Sequence, residues 1–328
     1  MRQNHLIYLA CPKCKADLAI SEVSEKIGES IKNGTLQCLS CDSKYNISNH
    51  IPRFVPQDNY ASGFGFEWSK HSRTQYDSYS GVNVSEKRFF EETRWSRNLE
   101  GESILEVGSG SGRFTEQAAS TNAMVVSIDF SYAVDANYES NGNKENVLII
   151  QGDIYALPIK QNYFDKVFCF GVLQHTPRPK EAFLELYKYP KHGGTLVIDI
   201  YRKLPWPLQM FITKYWVRPF TRQMEPATLY NFCSKYVRFM WPIAKVINKL
   251  PKGNKINRQL LIADYRGVFD LSDDMLKEWA ILDTFDMLSP AYDYPQTLET
   301  IEEWFAETGL KFVEVTDGYL GPLGRGTK

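Results

Sequence analysis

With 328 residues, 43% of them hydrophobic and 14% aromatic, the chain can bury a sizeable core, and its length suits one large domain plus something smaller. A net charge of −1 excludes a uniformly basic nucleic-acid binder, although a local patch can hide inside a neutral total. No apolar window reaches the length of a membrane span, and residues 1–10 hold too short an apolar run for a signal peptide, so a cytoplasmic protein is expected.

Cysteines define the first unit, expected over residues 1–58. Four of the six stand in two pairs, Cys11-Pro12-Lys13-Cys14 and Cys38-Leu39-Ser40-Cys41. Two C-x-x-C knuckles separated by residues 15–37 suit tetrahedral thiolate ligation of Zn²⁺; redox pairs or incidental cysteines are the other readings. Ser21 to Asn33 is polar and charged, Tyr45-Asn46-Ile47 alternates as a short strand does, and Ile51 to Pro56 closes the unit. So small a core needs its metal as a staple, and four thiolates with no fifth group point to a structural ion. Cys169 and Cys233 lie in apolar contexts as buried fillers.

A linker from Gln57 to Ser62 leads into an aromatic and polar segment holding Phe64-Gly65-Phe66-Glu67-Trp68, Gln75 and Arg88. Next comes the most informative stretch, Ile104-Leu105-Glu106-Val107-Gly108-Ser109-Gly110-Ser111-Gly112-Arg113-Phe114. An apolar run of strand length enters three glycines, and Phe114, Ala118 and Ala119 continue at helical spacing. Strand, glycine turn and helix together let backbone approach an anionic or nucleotide-like ligand. Arg113 occupies the third glycine position of the dinucleotide fingerprint, so that reading fits poorly.

Met124 to Asp129 is a second strand ending in a carboxylate about 20 residues past the turn, suited to a ribose diol. Val147 to Gln151 gives a third strand and Phe164 to Phe170 a fourth, followed by Gly171-Val172-Leu173-Gln174-His175-Thr176-Pro177. Ala182, Phe183 and Leu186 mark a helix, Pro190 to Gly194 a turn, and Thr195 to Ile200 a fifth strand. Four βα units in order predict a doubly wound α/β sheet with its ligand at the carboxyl edge. Near the end, Thr297 caps a helix that Gly309 stops, and Lys311 to Val315 and Tyr319 to Leu323 supply two last strands.

With these motifs in order, the E-x-G-x-G-x-G stretch and the residues after it resemble motif I of class I S-adenosylmethionine-dependent methyltransferases. The resemblance implies a Rossmann-like seven-stranded sheet, with core 99–200 and 295–328 inside a domain of 59–328. The N-terminal unit resembles zinc ribbons that accompany some of these enzymes, where the ribbon is structural or grips an extended substrate. The resemblance further implies S-adenosyl-L-methionine binding by Glu106, Gly108, Ser109, Gly110, Gly112, Asp129, Phe130, Asp153, Ile154, Phe170 and Gly171. Glu106 is placed to reach the methionine end through water, and Asp153 and Ile154 take the adenine. The segment ahead of the first strand becomes a lid over the cofactor, with Arg88 and Gln75 as outside candidates for the methionine carboxylate. His175 is the candidate general base, since neutral imidazole near pH 7 suits deprotonation of a hydroxyl.

The segment 201–294 is an insertion after the fifth strand, expected to be largely helical and to form the substrate side. From Tyr201 to Leu260 twelve Lys and Arg face the single acid Glu225, interleaved with eleven Trp, Phe and Tyr. That mixture suits an interfacial helix on anionic lipid, or a phosphate backbone with stacking bases, or a solvated basic face over a small aromatic core. Asp283, Asp286 and Asp293 can orient acceptor hydroxyls or cap helices and turns. The reading favoured is methylation of a hydroxyl on a small or lipid-linked glycan-type acceptor, with peripheral membrane contact through 201–260. The alternatives are an RNA base methyltransferase, disfavoured because Gly171 to Pro177 lacks an Asn-Pro-Pro-Tyr-like motif, and a non-catalytic scaffold.

Overall fold

The first fifty residues supply too few apolar side chains for a core of their own, and a computed structural model, which describes residues 1–56 and 59–328, shows how the deficit is met. Strands β1 (Leu18–Ile27), β2 (Ser30–Cys38), β3 (Lys44–Ser48) and β4 (Ile51–Arg53) form an antiparallel meander. Its buried Leu9, Leu18, Leu36 and Ile47 belong to the same apolar cluster as Val126, Leu148 and Ile150 of the main sheet. The polar stretch Ser21 to Asn33, which composition alone left without an element, is the β1–β2 hairpin turning at Gly28 with φ 56°. The linker expected from Gln57 begins in the undescribed pair of residues.

Three helices follow, α1 (Ser62–Lys70), α2 (Asp77–Ser80) and α3 (Val84–Thr93). The main sheet then alternates with helices: β5 (Ser103–Val107), α4 (Arg113–Ala119), β6 (Met124–Asp129), α5 (Val134–Asn141), β7 (Val147–Gln151), β8 (Phe164–Phe170), α6 (Pro179–Leu186) and β9 (Pro190–Asp199). β5 and β7 are buried along their whole lengths, which is why they read as mostly apolar runs rather than as alternation, with Glu106 the buried exception in β5. The expected turn at Pro190 to Gly194 is instead the irregular start of β9, with a register shift against β8.

The insertion is helical: α7 (Trp206–Gln209), α8 (Lys214–Thr221), α9 (Pro226–Ile247), α10 (Gly253–Gln259) and α11 (Asp273–Leu288). Glu225 caps α9 by accepting from the N–H groups of Ala227 and Thr228, and Ser272 caps α11. Val237, Trp241 and Ala244 of α9 pack on Leu276, Ala280 and Ile281 of α11, while Leu229 and Cys233 meet Phe285 and Leu288. The chain closes with α12 (Leu298–Ala306), β10 (Lys311–Asp317) and β11 (Pro322–Thr327). The final strand starts three residues later than its apolar residues suggested, because a turn in which Gly318 N–H donates to Gly321 O occupies the gap.

The order across the sheet is β1-β2-β3-β4-β7-β6-β5-β8-β9-β11-β10. The seven strands from β7 to β10 carry parallel pairing except at β11, which runs antiparallel to both neighbours. The meander joins at β4, where Arg53 pairs parallel with Gln151 and Phe54 N–H donates to Gln151 O. Ribbon and main sheet are one continuous surface.

Candidate functional site

The carboxyl ends of β5, β6 and β8 open on a cavity of about 830 Å³, roofed by α1 and by α8, α10 and α11 of the insertion. The turn after β5 holds Gly108, Gly110 and Gly112 at φ 84°, 54° and 95°, conformations that side chains disfavour. A Cβ at Gly108 runs into Val172, at Gly110 into the Trp68 indole, and at Gly112 into Asn137 and Asn141. The glycines are thus demanded by close protein packing around the turn as well as by its shape. Gly108, Ser109 and Gly110 line the cavity directly, while Gly112 stands behind them as the N-cap of α4.

Asp129, at the end of β6, also lines the cavity. Its Oδ2 accepts from Gly110 N–H at 2.8 Å and its Oδ1 from the N–H and hydroxyl of Ser131 at 2.8 and 2.7 Å. Of the roughly four acceptor positions on a carboxylate, about one is left for a ligand hydroxyl. Burial raises its carboxyl above the ordinary value. Gly152, Ile154 and Phe130 share the wall, Phe130 packing on Tyr60 with ring centroids 4.8 Å apart. Asp153 sits between two wall residues but turns its carboxylate to the N–H of Tyr155. It remains close to the pocket, since the Tyr60 phenol is pushed up by burial first and then by Asp153 and, more weakly, Asp129.

Glu106 lies elsewhere. It is buried beneath the turn, and Oε2 accepts from the Thr115 and Ser127 hydroxyls, the latter at 2.8 Å. Asn137 donates to those same two hydroxyl oxygens at 3.0 Å each, so Glu106 anchors a polar strut joining β5, α4, β6 and α5. Burial pushes its carboxyl up to about 7.

Phe170 and Gly171 form the next stretch of wall, where Gly171 N–H donates to Asp199 Oδ1 at 2.5 Å. Asp199 in turn pairs with Arg88, whose Nε also donates to Glu92 at 3.0 Å. Arg88 therefore faces the cavity already neutralised by two carboxylates. Arg113 differs: it lines the same wall, stands over the Phe114 ring at 4.6 Å and makes no ion pair among the described residues. It is the free cation at the sheet edge that the sequence noted only as a departure from pattern. Gln75 lines the cavity but is engaged with Asp283 Oδ1 at 3.2 Å.

His175 closes a short helical turn after β8, with Nδ1 2.9 Å from Tyr292 O and its ring edge-on to Tyr201. A carbonyl partner requires the proton on Nδ1, which makes Nε2 the lone-pair nitrogen. Burial lowers the pKa, so the ring is neutral.

Across the cavity stand carboxylates of the lid and the insertion. Glu67 of α1 is wholly buried with neither oxygen bonded, and burial, reinforced by Asp286 and Asp283, raises its carboxyl well above the usual range. Nothing in the aromatic run around it singled it out. Asp283 receives the Tyr265 hydroxyl and is pushed up to about 6, chiefly by burial. Tyr201 donates to Asp286 at a long 3.4 Å, whereas Asp293 is paired with Lys214 at 2.8 Å. Tyr265, Phe269 and Trp279 add an aromatic face, with ring centroids 5.0 to 5.8 Å apart.

The second site is in the ribbon. The Sγ atoms of Cys11, Cys14, Cys38 and Cys41 lie within 4.8 Å of one another. Tetrahedral zinc with bonds of about 2.3 Å sets sulfurs about 3.8 Å apart, and the pairs Cys11–Cys41 and Cys14–Cys38 are at 3.6 and 3.4 Å. The N–H groups of Ser40 and Cys41 point at Cys38 Sγ, each at 3.4 Å. This donor set is capable of chelating a metal ion.

Residues 105–198 match a family model described as a methyltransferase domain. The chain is 28% identical over 147 residues to a demethylmenaquinone methyltransferase of Renibacterium salmoninarum, covering 43% of this chain and 61% of that relative. It is 24% identical over 160 residues to a sterol 24-C-methyltransferase of Saccharomyces cerevisiae, covering 47% and 41%. A solved phosphoethanolamine N-methyltransferase 2 of Haemonchus contortus is similar at 18% identity and TM-score 0.42, covering 80% of this chain and 44% of that one. The chain spans only part of these curated relatives' length. Sheet order, glycine turn and family match together define a class I S-adenosylmethionine-dependent methyltransferase fold, here with an N-terminal four-cysteine cluster. No described helix is long and apolar enough to cross a membrane.

Proposed function

We propose that this protein transfers a methyl group from S-adenosyl-L-methionine to a hydroxyl of a glycan-type acceptor held between the sheet edge and the insertion, and that its four-cysteine cluster holds a structural Zn²⁺. The observation that carries the reading is the two-sided cavity: a glycine turn with Asp129 on one wall, and carboxylates beside an aromatic face on the other. When bound, S-adenosylmethionine supplies an electrophilic methyl on a sulfonium. The chain's own task is to align the acceptor and take its proton.

On this reading Asp129 and the glycine turn hold the ribose side, Ile154 and Phe130 flank the adenine, and Arg113 receives the methionine carboxylate. Asp283 and Asp286 accept from acceptor hydroxyls, and the Tyr265, Phe269 and Trp279 rings offer apolar faces to a sugar. Nε2 of His175, neutral and held by Tyr292, takes the hydroxyl proton. The relatives' names span a quinone precursor and a sterol, so the acceptor is read from this cavity rather than from them.

The test is titration calorimetry with S-adenosylhomocysteine, followed by incorporation of labelled methyl into fractionated glycan, lipid and RNA. Binding with label in a glycan-bearing fraction supports the reading; label confined to RNA moves the acceptor to nucleic acid, and absence of binding removes the enzyme. His175→Ala should lower turnover about tenfold to ten-thousandfold while leaving S-adenosylhomocysteine affinity intact. Unchanged turnover takes His175 out of the mechanism.

A further inference from the structure

The solvent side of the insertion carries an apolar surface that the cavity does not use. Helix α9 buries Val237, Trp241 and Ala244 against α11, yet Phe232, Phe239, Ile243 and Val246 recur at helical spacing on its opposite, exposed side. A surface helix normally turns one apolar stripe inward and a polar face outward; this one has two apolar stripes. The helices before it extend the feature, since Trp206 and Phe211 around α7 and Trp216 and Phe220 of α8 are 75, 77, 65 and 76% exposed. Scattered exposed apolar residues are ordinary, but aromatics this bare and this clustered mark a contact surface.

Charge identifies the occupant. Lys235 and Arg238 lie along one side of the outward stripe of α9, and Lys249 follows just past its end. In the segment 201–260 ion pairs engage Arg202, Lys214, Arg218 and Lys245, leaving eight of the twelve cations without an ion-pair partner among the described residues. Tryptophan and phenylalanine beside unpaired cations fit the headgroup region of an anionic bilayer. Ile243 and Val246 in the same stripe give bases nothing to stack on, which disfavours a nucleic acid. A second copy of this chain brings an equally cationic face, which disfavours self-association.

We propose that the insertion docks the protein peripherally on an anionic lipid bilayer through α7, α8 and α9, and that the acceptor in the cavity is carried on a lipid. The two parts are linked by geometry: Lys214 and Tyr215 of α8 and Lys255 and Arg258 of α10 line the cavity, while Trp216, Phe220 and Ile256 of the same helices are exposed. Helix α8 thus belongs to both the wall of the cavity and the docking surface, with α10 beside it. The docking stands independently; delivery of a lipid-borne acceptor rests on the methyl transfer proposed above.

The experiment is co-sedimentation of the full chain with phosphatidylcholine vesicles, with and without phosphatidylglycerol, across a salt series, for the native protein and for Phe239→Ser/Val246→Ser and Trp216→Ser/Phe220→Ser. Binding to anionic vesicles that weakens with salt and falls about tenfold or more in both variants is the expected result. The altered residues are exposed, so melting temperature and S-adenosylhomocysteine binding should be unchanged, which separates loss of docking from loss of fold. No binding to anionic vesicles, or equal binding by the variants, overturns the proposal. So does a native dimer that the same substitutions convert to monomer, or an RNA shift that they abolish without any vesicle binding. Vesicle binding by a protein that fails to bind S-adenosylhomocysteine keeps the docking and removes the methyl transfer. Vesicle binding together with transfer of label to water-soluble glycan alone removes the lipid-borne acceptor.

Discussion

Replacing Glu106 by glutamine gives a quantitative check on where the structure puts that side chain. Its carboxyl titrates near 7 in the folded chain against an ordinary value of 4.5, because burial outweighs the Thr115 and Ser127 hydroxyls. Between those values the folded chain keeps a proton that the unfolded chain has released. The associated stability is therefore complete below about pH 4.5 and is lost as pH rises through about 7. At about 1.4 kcal/mol per pH unit the loss approaches about 3 kcal/mol by pH 8. Glutamine keeps an acceptor for both hydroxyls and cannot ionise. In a chain this long 1 kcal/mol is worth about 1.5 °C, so Glu106→Gln should melt close to the native protein at pH 5 and roughly 4–5 °C above it at pH 8. Differential scanning across that range measures it directly, and a melting difference independent of pH refutes the buried-strut account. Since Glu106 is off the cavity wall, S-adenosylhomocysteine affinity should move by no more than about threefold; a loss of about tenfold or more restores a ligand role for it.

Three further outcomes are expected. Asp129→Ala should weaken S-adenosylhomocysteine binding about tenfold to hundredfold by calorimetry, through loss of a charge-assisted acceptor and of the anchor on Gly110 N–H, and undiminished affinity rules out Asp129 as the ribose ligand. Gly112→Ala should cost about 2 kcal/mol or more in denaturant unfolding, from its positive φ and the collision with Asn137; a near-neutral result shows that the turn relaxes. Mass spectrometry of the metal content should find one zinc per chain, removed by a strong chelator with a fall in melting temperature that added zinc reverses, and Cys38→Ser should copy the chelated state. Metal-free protein that melts unchanged denies the ion any structural role.

The parts legible in advance share a physical cause. β5 to β8 are largely buried, so apolar residues dominate them and polar ones are few, and the glycine turn is forced by backbone conformation that little else can adopt. The β1–β2 hairpin was not legible, because seven of the ten residues of β1 are exposed and no alternation records the pairing. Its union with the main sheet combines an apolar cluster shared with Val126, Leu148 and Ile150 and the strand pairing of Arg53 with Gln151, a backbone event that leaves little trace in residue types. Glu67 escaped notice for a different reason: its environment is made by burial and by Asp286 and Asp283, more than two hundred positions away. Glu106 matched the motif by type yet turned inward, because Thr115 and Ser127 present hydroxyls on the far side of the turn.

The seam between β4 and β7 ties the thiolate end of the molecule to the adenine margin. β7 runs directly into Gly152, Asp153 and Ile154, so the hairpins and those residues hang on consecutive parts of one sheet. On the reading proposed above, an ion at the thiolates and a cofactor at the sheet edge would therefore be held by one shared sheet.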